Sequence, residues 1–175
     1  MKAEIAIKAA DLAVQSIGIK ETAGKDNYGE MIKKYLACVN LEEGNAWCGG
    51  FLKYMYIKSA KFLEEELSDE FLQLSGYTPD WKIYAQKHNI WIPIEEAKKD
   101  PSLIKKGYAV CFYSSTKQRI YHIGIVISSN KSGIVSVEGN TSSNTPGVDA
   151  NGGMVAQKRR SWTSIGSLGG FIKTY

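Results

Sequence analysis

Three cysteines, two histidines and the Glu-x-Asn pair Glu138 and Asn140 hold most of the chemistry this chain can offer. Cys38 falls in the apolar period of Tyr28, Ile32, Tyr35, Leu36 and Val39, and Cys111 stands between Val110 and Phe112 in a strand-like run. Both read as packing residues, because a free thiol behaves as a small hydrophobe. Cys48 differs. Asn45 is a good N-cap for a helix carrying Phe51, Leu52 and Met55, which places Cys48 in the first turn. Unpaired N–H groups and the helix dipole favour a thiolate there, and the same groups can hold an oxyanion on a substrate carbonyl. Gly49 and Gly50 leave room beside the sulfur for a substrate backbone.

A thiol at a helix start needs a base and a group to orient it. His88 closes a short helix and reads as a surface residue. His122 opens the run YHIGIVIS, on the face opposite Ile123, Ile125 and Ile127. Glu138 ends the next run, opposite Val135 and Val137, and Asn140 follows two residues later. A tight hairpin through SSNKSG sets the two strands side by side and lets His122 and Glu138 share a face. The base then has a carboxylate or an amide to fix its tautomer. The candidate catalytic residues are therefore Cys48, His122, Glu138 and Asn140, with Glu138 preferred over Asn140 as the third member.

No metal or cofactor is called for. HExxH, CxxC, GxSxG, phosphate-loop and EF-hand patterns are absent, and Asp26 with Asn27 is too sparse for a calcium site. The stretch Asn140 to Asn144 contains an N-x-[ST] match, which means little without a secretory signal.

The elements that must position these residues divide the chain in two. Ile5, Ala9, Leu12, Ala13 and Ile17 recur at helical spacing, predicting a helix over 2–17 ended by Gly18. The Tyr28–Val39 period predicts a second helix, and the Asn45-capped segment a third. A fourth is expected over 61–75, with Phe62, Leu63, Leu67, Phe71 and Leu74 apolar, and a short one near 80–88 after Gly76 and Pro79. From Gly107 onward, GYAVCFYSS, YHIGIVIS, GIVSVEGN, GGMVAQKR and GGFIKTY read as short strands separated by turn residues. Helices first and adjacent strands after predict one α+β domain over 1–175, its N-terminal helices packed on a C-terminal antiparallel sheet.

Composition sets the outer limits. The chain has 175 residues, 43% hydrophobic, enough to fill one core. A net charge of +4 is too small to argue for nucleic acid, and the run Lys158, Arg159, Arg160 reads as the solvated end of a strand. Three widely spaced cysteines make no disulfide framework. The N-terminus lacks an apolar signal core and no stretch is long enough to span a bilayer. The expectation is a soluble monomer made in the cytoplasm without a signal peptide, with no nucleic-acid partner and no membrane insertion.

NAWCGGFLKYMY resembles the nucleophile helix of CHAP-domain amidases and peptidases, YHIGIVIS their histidine strand, and VEGNTSSN their strand ending in Glu-x-Asn. KKGYAVCFY is similar to the strand between cysteine and histidine, so the resemblance covers most of the chain. The order Cys, His, Glu, Asn is that of the wider papain-like NlpC/P60 and CHAP group. The resemblance implies a papain-like fold and cleavage of an amide or peptide bond in peptidoglycan. It makes Cys48 the nucleophile, His122 general base and acid, Glu138 the group orienting the histidine and Asn140 an auxiliary polar residue. The activities it implies are an N-acetylmuramoyl-L-alanine amidase or an endopeptidase, with a γ-D-glutamyl-diamino-acid endopeptidase of the NlpC/P60 type and a non-catalytic wall-binding module as alternatives. The enzyme would reach the bacterial cell wall after release, as a phage endolysin, or after injection, as an effector whose producer needs an immunity protein. Two features depart from the pattern: Gly107-Tyr108 replaces the usual Gly-Asp pair, and no acidic calcium loop precedes the cysteine.

Overall fold

The computed structural model describes residues 1–142 and 152–175. The first helix, α1 (Ala3–Gln15), buries Ala6, Ala9, Ala10 and Ala13 along one stripe. Small side chains there let it lie close against α3 (Cys48–Phe62), and Ser59 on α3 donates to the Ile5 carbonyl at 2.7 Å. Between them α2 (Glu30–Ala37) turns Ile32, Tyr35 and Leu36 inward. These helices make one apolar layer with the sheet face carrying Ala109, Cys111, Ile123, Ile125 and Val137.

The helix expected over 61–75 does not form. α3 ends at Phe62, and Glu64 adopts a left-handed φ of 55°. Helix resumes for four residues as α4 (Asp69–Leu72), capped by the Ser68 hydroxyl, which accepts from the Phe71 N–H. The apolar residues of 61–75 fit a helical period, but EEE at 64–66 gains nothing from continuing a helix into solvent. The ammonium of Lys53, buried on α3, satisfies the orphan carbonyls of Leu72 and Leu74 at 2.6 and 2.8 Å. Pro79 opens α5 (Thr78–Lys87) from its first turn, a position where the missing N–H costs nothing.

Six strands form one antiparallel sheet: β1 (Trp91–Pro93), β2 (Ala109–Ser114), β3 (Arg119–Asn130), β4 (Gly133–Thr141), β5 (Met154–Ser161) and β6 (Gly170–Ile172), in spatial order β1-β6-β2-β3-β4-β5. The protein is therefore of the α+β class. Strand β1 was not predicted; WIP is too short to show an alternation. The other face of the sheet carries Val110, Phe112, Val126 and Ile134, covered by Trp162, Ile165 and α6 (Ile94–Lys99). Among the described residues no helix is long and apolar enough to cross a membrane.

The hairpin joining β3 to β4 is as tight as its sequence demands, with Asn130 opposite Gly133 and the Asn130 Oδ1 accepting from the Ser132 N–H. The ladder between these strands runs from that turn to Ile125–Val137 and has no further pairs, although both strands continue. The start of α3 meets the continuation of β4. A Cβ at Gly139 would lie 2.6 Å from the Phe51 side chain and 2.7 Å from the Trp47 ring, so only glycine admits the helix this close.

Candidate active site

Cys48 is the first helical residue of α3 and is 5% exposed. The cap is not Asn45, which is exposed and turns its side-chain amide onto the Glu42 carbonyl at 3.0 Å. Trp47 occupies the cap position instead. Its ring stacks on Tyr35 at 5.6 Å and packs edge-on to Phe51, and its Nε1–H donates to Glu21 Oε1 at 2.7 Å. Burying that indole fixes the helix start two residues later than Asn45 would. The first intrahelical bond is Phe51 N–H to the Trp47 carbonyl, 2.8 Å, so the N–H groups of Cys48, Gly49 and Gly50 precede the helical ladder.

The two glycines make room for the protein rather than for a substrate. A Cβ on Gly49 would sit 2.6 Å from the Gly76 carbonyl oxygen, and one on Gly50 would strike the Tyr35 carbonyl. Both residues let neighbouring backbone close over the first turn of α3, at a cost in helix propensity.

His122 projects from β3 beside the Phe112 and Tyr121 rings, with centroids 5.5 and 6.1 Å away. Its Nε2–H donates to Glu138 Oε2 at 2.9 Å, and Cys48 lies near enough to raise the proton affinity of the imidazole. Since Nε2 is engaged by a carboxylate that only accepts, Nδ1 is the nitrogen left for the sulfur. Burial alone disfavours the imidazolium, but the interactions with Cys48 and Glu138 outweigh it and hold His122 up at about 9. Glu138 is 0% exposed. Burial raises its pKa, yet Arg160 and His122 together pull the carboxyl well below the usual carboxylate range.

Register explains why His122 and Glu138 meet. They stand two strand positions apart across Gly124, and a Cβ there would lie 2.7 Å from Glu138 Cγ. Gly124→Ala should therefore push the carboxylate off Nε2, and if the site is catalytic it should lower kcat about a hundredfold, the scale expected for a displacement near 1 Å. Steady-state kinetics beside a thermal melt checks this, and an unchanged kcat in a folded variant would remove Glu138 from the site.

Asn140 takes a different place from the other three. It sits at a left-handed φ of 54°, which asparagine tolerates. Its Nδ2 donates to Asn27 Oδ1 at 2.9 Å and approaches Glu21 Oε1 at 3.4 Å. The same Glu21 oxygen holds the Trp47 indole, so Asn140 braces the residue before the cysteine. Ser143 and Asn144, the end of that sequence motif, lie outside the described residues.

The remaining candidates sort by surroundings. Burial pushes the Cys38 thiol up to about 11, against the Tyr35 and Gly50 carbonyls, and pushes Cys111 up as well. His88 ends α5 with its Nε2 2.8 Å from Glu70 Oε2. Trp47 and Trp162 are packing residues, whereas Tyr121 stays half-buried beside His122. A cavity of about 550 Å³ between Phe71, Trp81, Tyr84, Ile172 and Tyr175 contains none of the candidate residues.

Two charged residues were misread from sequence, Lys158 and Arg160. Arg160 is not on a solvated strand end: Arg159 faces solvent, while Lys158 and Arg160 alternate to the other face. Arg160 Nε donates to Glu138 Oε1 at 2.9 Å and its terminal nitrogen to Oε2 at 2.5 Å. Ser136 Oγ also donates to Oε1 at 2.6 Å. The period-2 alternation of β5 was the available signal, since it separates Arg159 from its two basic neighbours.

What fold and site define is an α+β protein with a helix-start cysteine beside a histidine that is hydrogen-bonded to a buried carboxylate. No protein-family model, no curated protein and no solved structure matches this chain.

Proposed function

We propose that this protein is a cysteine hydrolase of peptidoglycan that cleaves an amide or peptide bond of the stem peptide or cross-bridge. The observation that carries the chemistry is the 2.9 Å contact of His122 with the buried Glu138, with the helix-start Cys48 acting on the same imidazole. The substrate class rests on the resemblance of the ordered cysteine, histidine and Glu-x-Asn segments to CHAP-domain enzymes.

In this mechanism His122 takes the Cys48 proton, a role favoured by its raised proton affinity. The sulfur attacks the substrate carbonyl carbon and forms a tetrahedral intermediate. Its oxyanion is held by the N–H groups at the start of α3, which have no helical partners. His122 then gives its proton to the leaving amine as the C–N bond breaks, and a thioester remains on Cys48. Water, deprotonated by His122, hydrolyses the thioester and restores the thiol. Glu138 holds the imidazole in the required tautomer and stabilises its cation throughout. Such an enzyme would act on the cell wall after release or injection.

Mass spectrometry of muropeptides after digestion with wild type and Cys48→Ala tests the proposal. A new amine terminus made only by wild type supports hydrolysis, and the identity of that terminus separates amidase from endopeptidase. Binding to sacculi without any new amine would replace the enzyme with a wall-binding module.

A further inference from the structure

Glu138 is shared between the base and a permanent cation. Oε1 accepts from Ser136 and from Arg160 Nε, and Oε2 accepts from His122 Nε2 and from the Arg160 terminal nitrogen. The guanidinium lies over the Phe112 ring at 5.0 Å, and that ring also packs on the His122 imidazole. Arg160, Glu138 and His122 thus stand in line on three adjacent strands, β5, β4 and β3.

We propose that Arg160 is a positioning residue of this site: its two-pronged contact keeps Glu138 ionised and keeps Oε2 aimed at His122. The inference rests on Cys48 acting as nucleophile, but not on the identity of the substrate. The reason lies in the charge changes of the reaction. A carboxylate with no solvent contact needs a cation or it takes up a proton. His122 cannot be that cation at every step, because it surrenders its proton to the leaving amine. Arginine does not deprotonate in proteins, so it keeps the carboxylate charged when the imidazole is neutral. Its planar fork engages both oxygens and fixes the carboxylate plane, which one point charge would not do.

The groups facing Glu138 from each packed element are His122 on β3, Ser136 on β4 and Arg160 on β5, with Cys48 of α3 beyond His122. Lys158 lies on the same face of β5 and directs its ammonium to Ser142 Oγ at 3.5 Å.

The pH dependence of Cys48 alkylation by iodoacetamide, read by peptide mass spectrometry on the whole protein, tests this role without any wall substrate. In Arg160→Gln the acid limb should move to higher pH by about one unit, a rate about tenfold lower on that limb. Without the fork Glu138 takes up a proton more readily and turns from Nε2, and either change weakens the imidazolium that supports a reactive sulfur. Arg160→Lys keeps the charge and loses the fork, so its limb should move by about half a unit, or about threefold. Lost packing alone would lower the melting temperature and leave the limb in place. A wild-type alkylation profile in either folded variant overturns the proposal, and Arg160→Lys provides that test if Arg160→Gln does not fold. The shift without release of amines from peptidoglycan would sink the substrate reading and leave the role of Arg160 standing.

Discussion

Cys48→Ala should abolish the release of new amine termini from peptidoglycan, lowering turnover by at least about three orders of magnitude. No other thiol can substitute. Burial raises the proton affinity of both Cys38 and Cys111, and neither is hydrogen-bonded to an imidazole. What survives in the variant is the helix-start N–H array, which stabilises an oxyanion without supplying a nucleophile. The fold should survive too, because a small buried side chain is exchanged for a smaller one, at about 1 kcal/mol. Loss of activity with a melting temperature within a few degrees of wild type is the expected pair of results. Full lytic activity in Cys48→Ala would falsify the proposed mechanism.

Glu138 should matter to activity and to folding alike, and the two can be separated by the choice of variant. Glu138→Ala leaves the Arg160 guanidinium and the His122 imidazole without the carboxylate that both contact. Breaking a buried pair from one side costs about 3–5 kcal/mol, so the melting temperature should fall by about 10 °C. Glu138→Gln preserves shape but brings an amide that cannot accept at every contact the carboxylate serves. It should lose less stability and still lose activity. Equal, wild-type-like melting of both variants would show that this carboxylate is not the buried partner described above.

The same pair gives stability a pH dependence whose sign can be worked out. His122 is raised in the folded protein above its ordinary value of 6.5. Its contribution is therefore complete below 6.5 and is lost as pH rises through about 9. Glu138 is depressed below its ordinary value of 4.5. Its contribution is present above 4.5 and declines as the solution is acidified below that value. Melting temperatures measured across pH should form a plateau between these limits. In Glu138→Gln the acid decline should shrink, since the titrating group is gone.

Fold class and three of the site residues were legible in the chain because they depend on local patterns. Alternation in YHIGIVIS and VEGN fixes which face each residue takes relative to its apolar neighbours. Those rules put His122 and Glu138 each opposite the apolar face of its strand, but the turn register alone would set Glu138 against Ile125; the register shift between Val126 and Ser128 brings it to Gly124 instead, 2.9 Å from His122. Helix period likewise puts Cys48 near the start of a helix. Where that helix begins was not local: Trp47 takes the cap position from Asn45 because its indole is buried against Tyr35 and Glu21.

Tertiary structure alone decided the rest. Asn140 follows Glu138 by two residues, yet its amide bonds Asn27, far back in the chain, because the β3–β4 ladder stops at Ile125–Val137. Arg160 reads as surface in a run of three basic residues, and only the pairing of β5 with β4 brings it to Glu138. The opening cysteine thus keeps the partners its sequence order implied and gains an arginine that order could not reveal. Turn chemistry and strand period act over a few residues, whereas a charge contact between nonadjacent segments depends on how the strands are laid side by side.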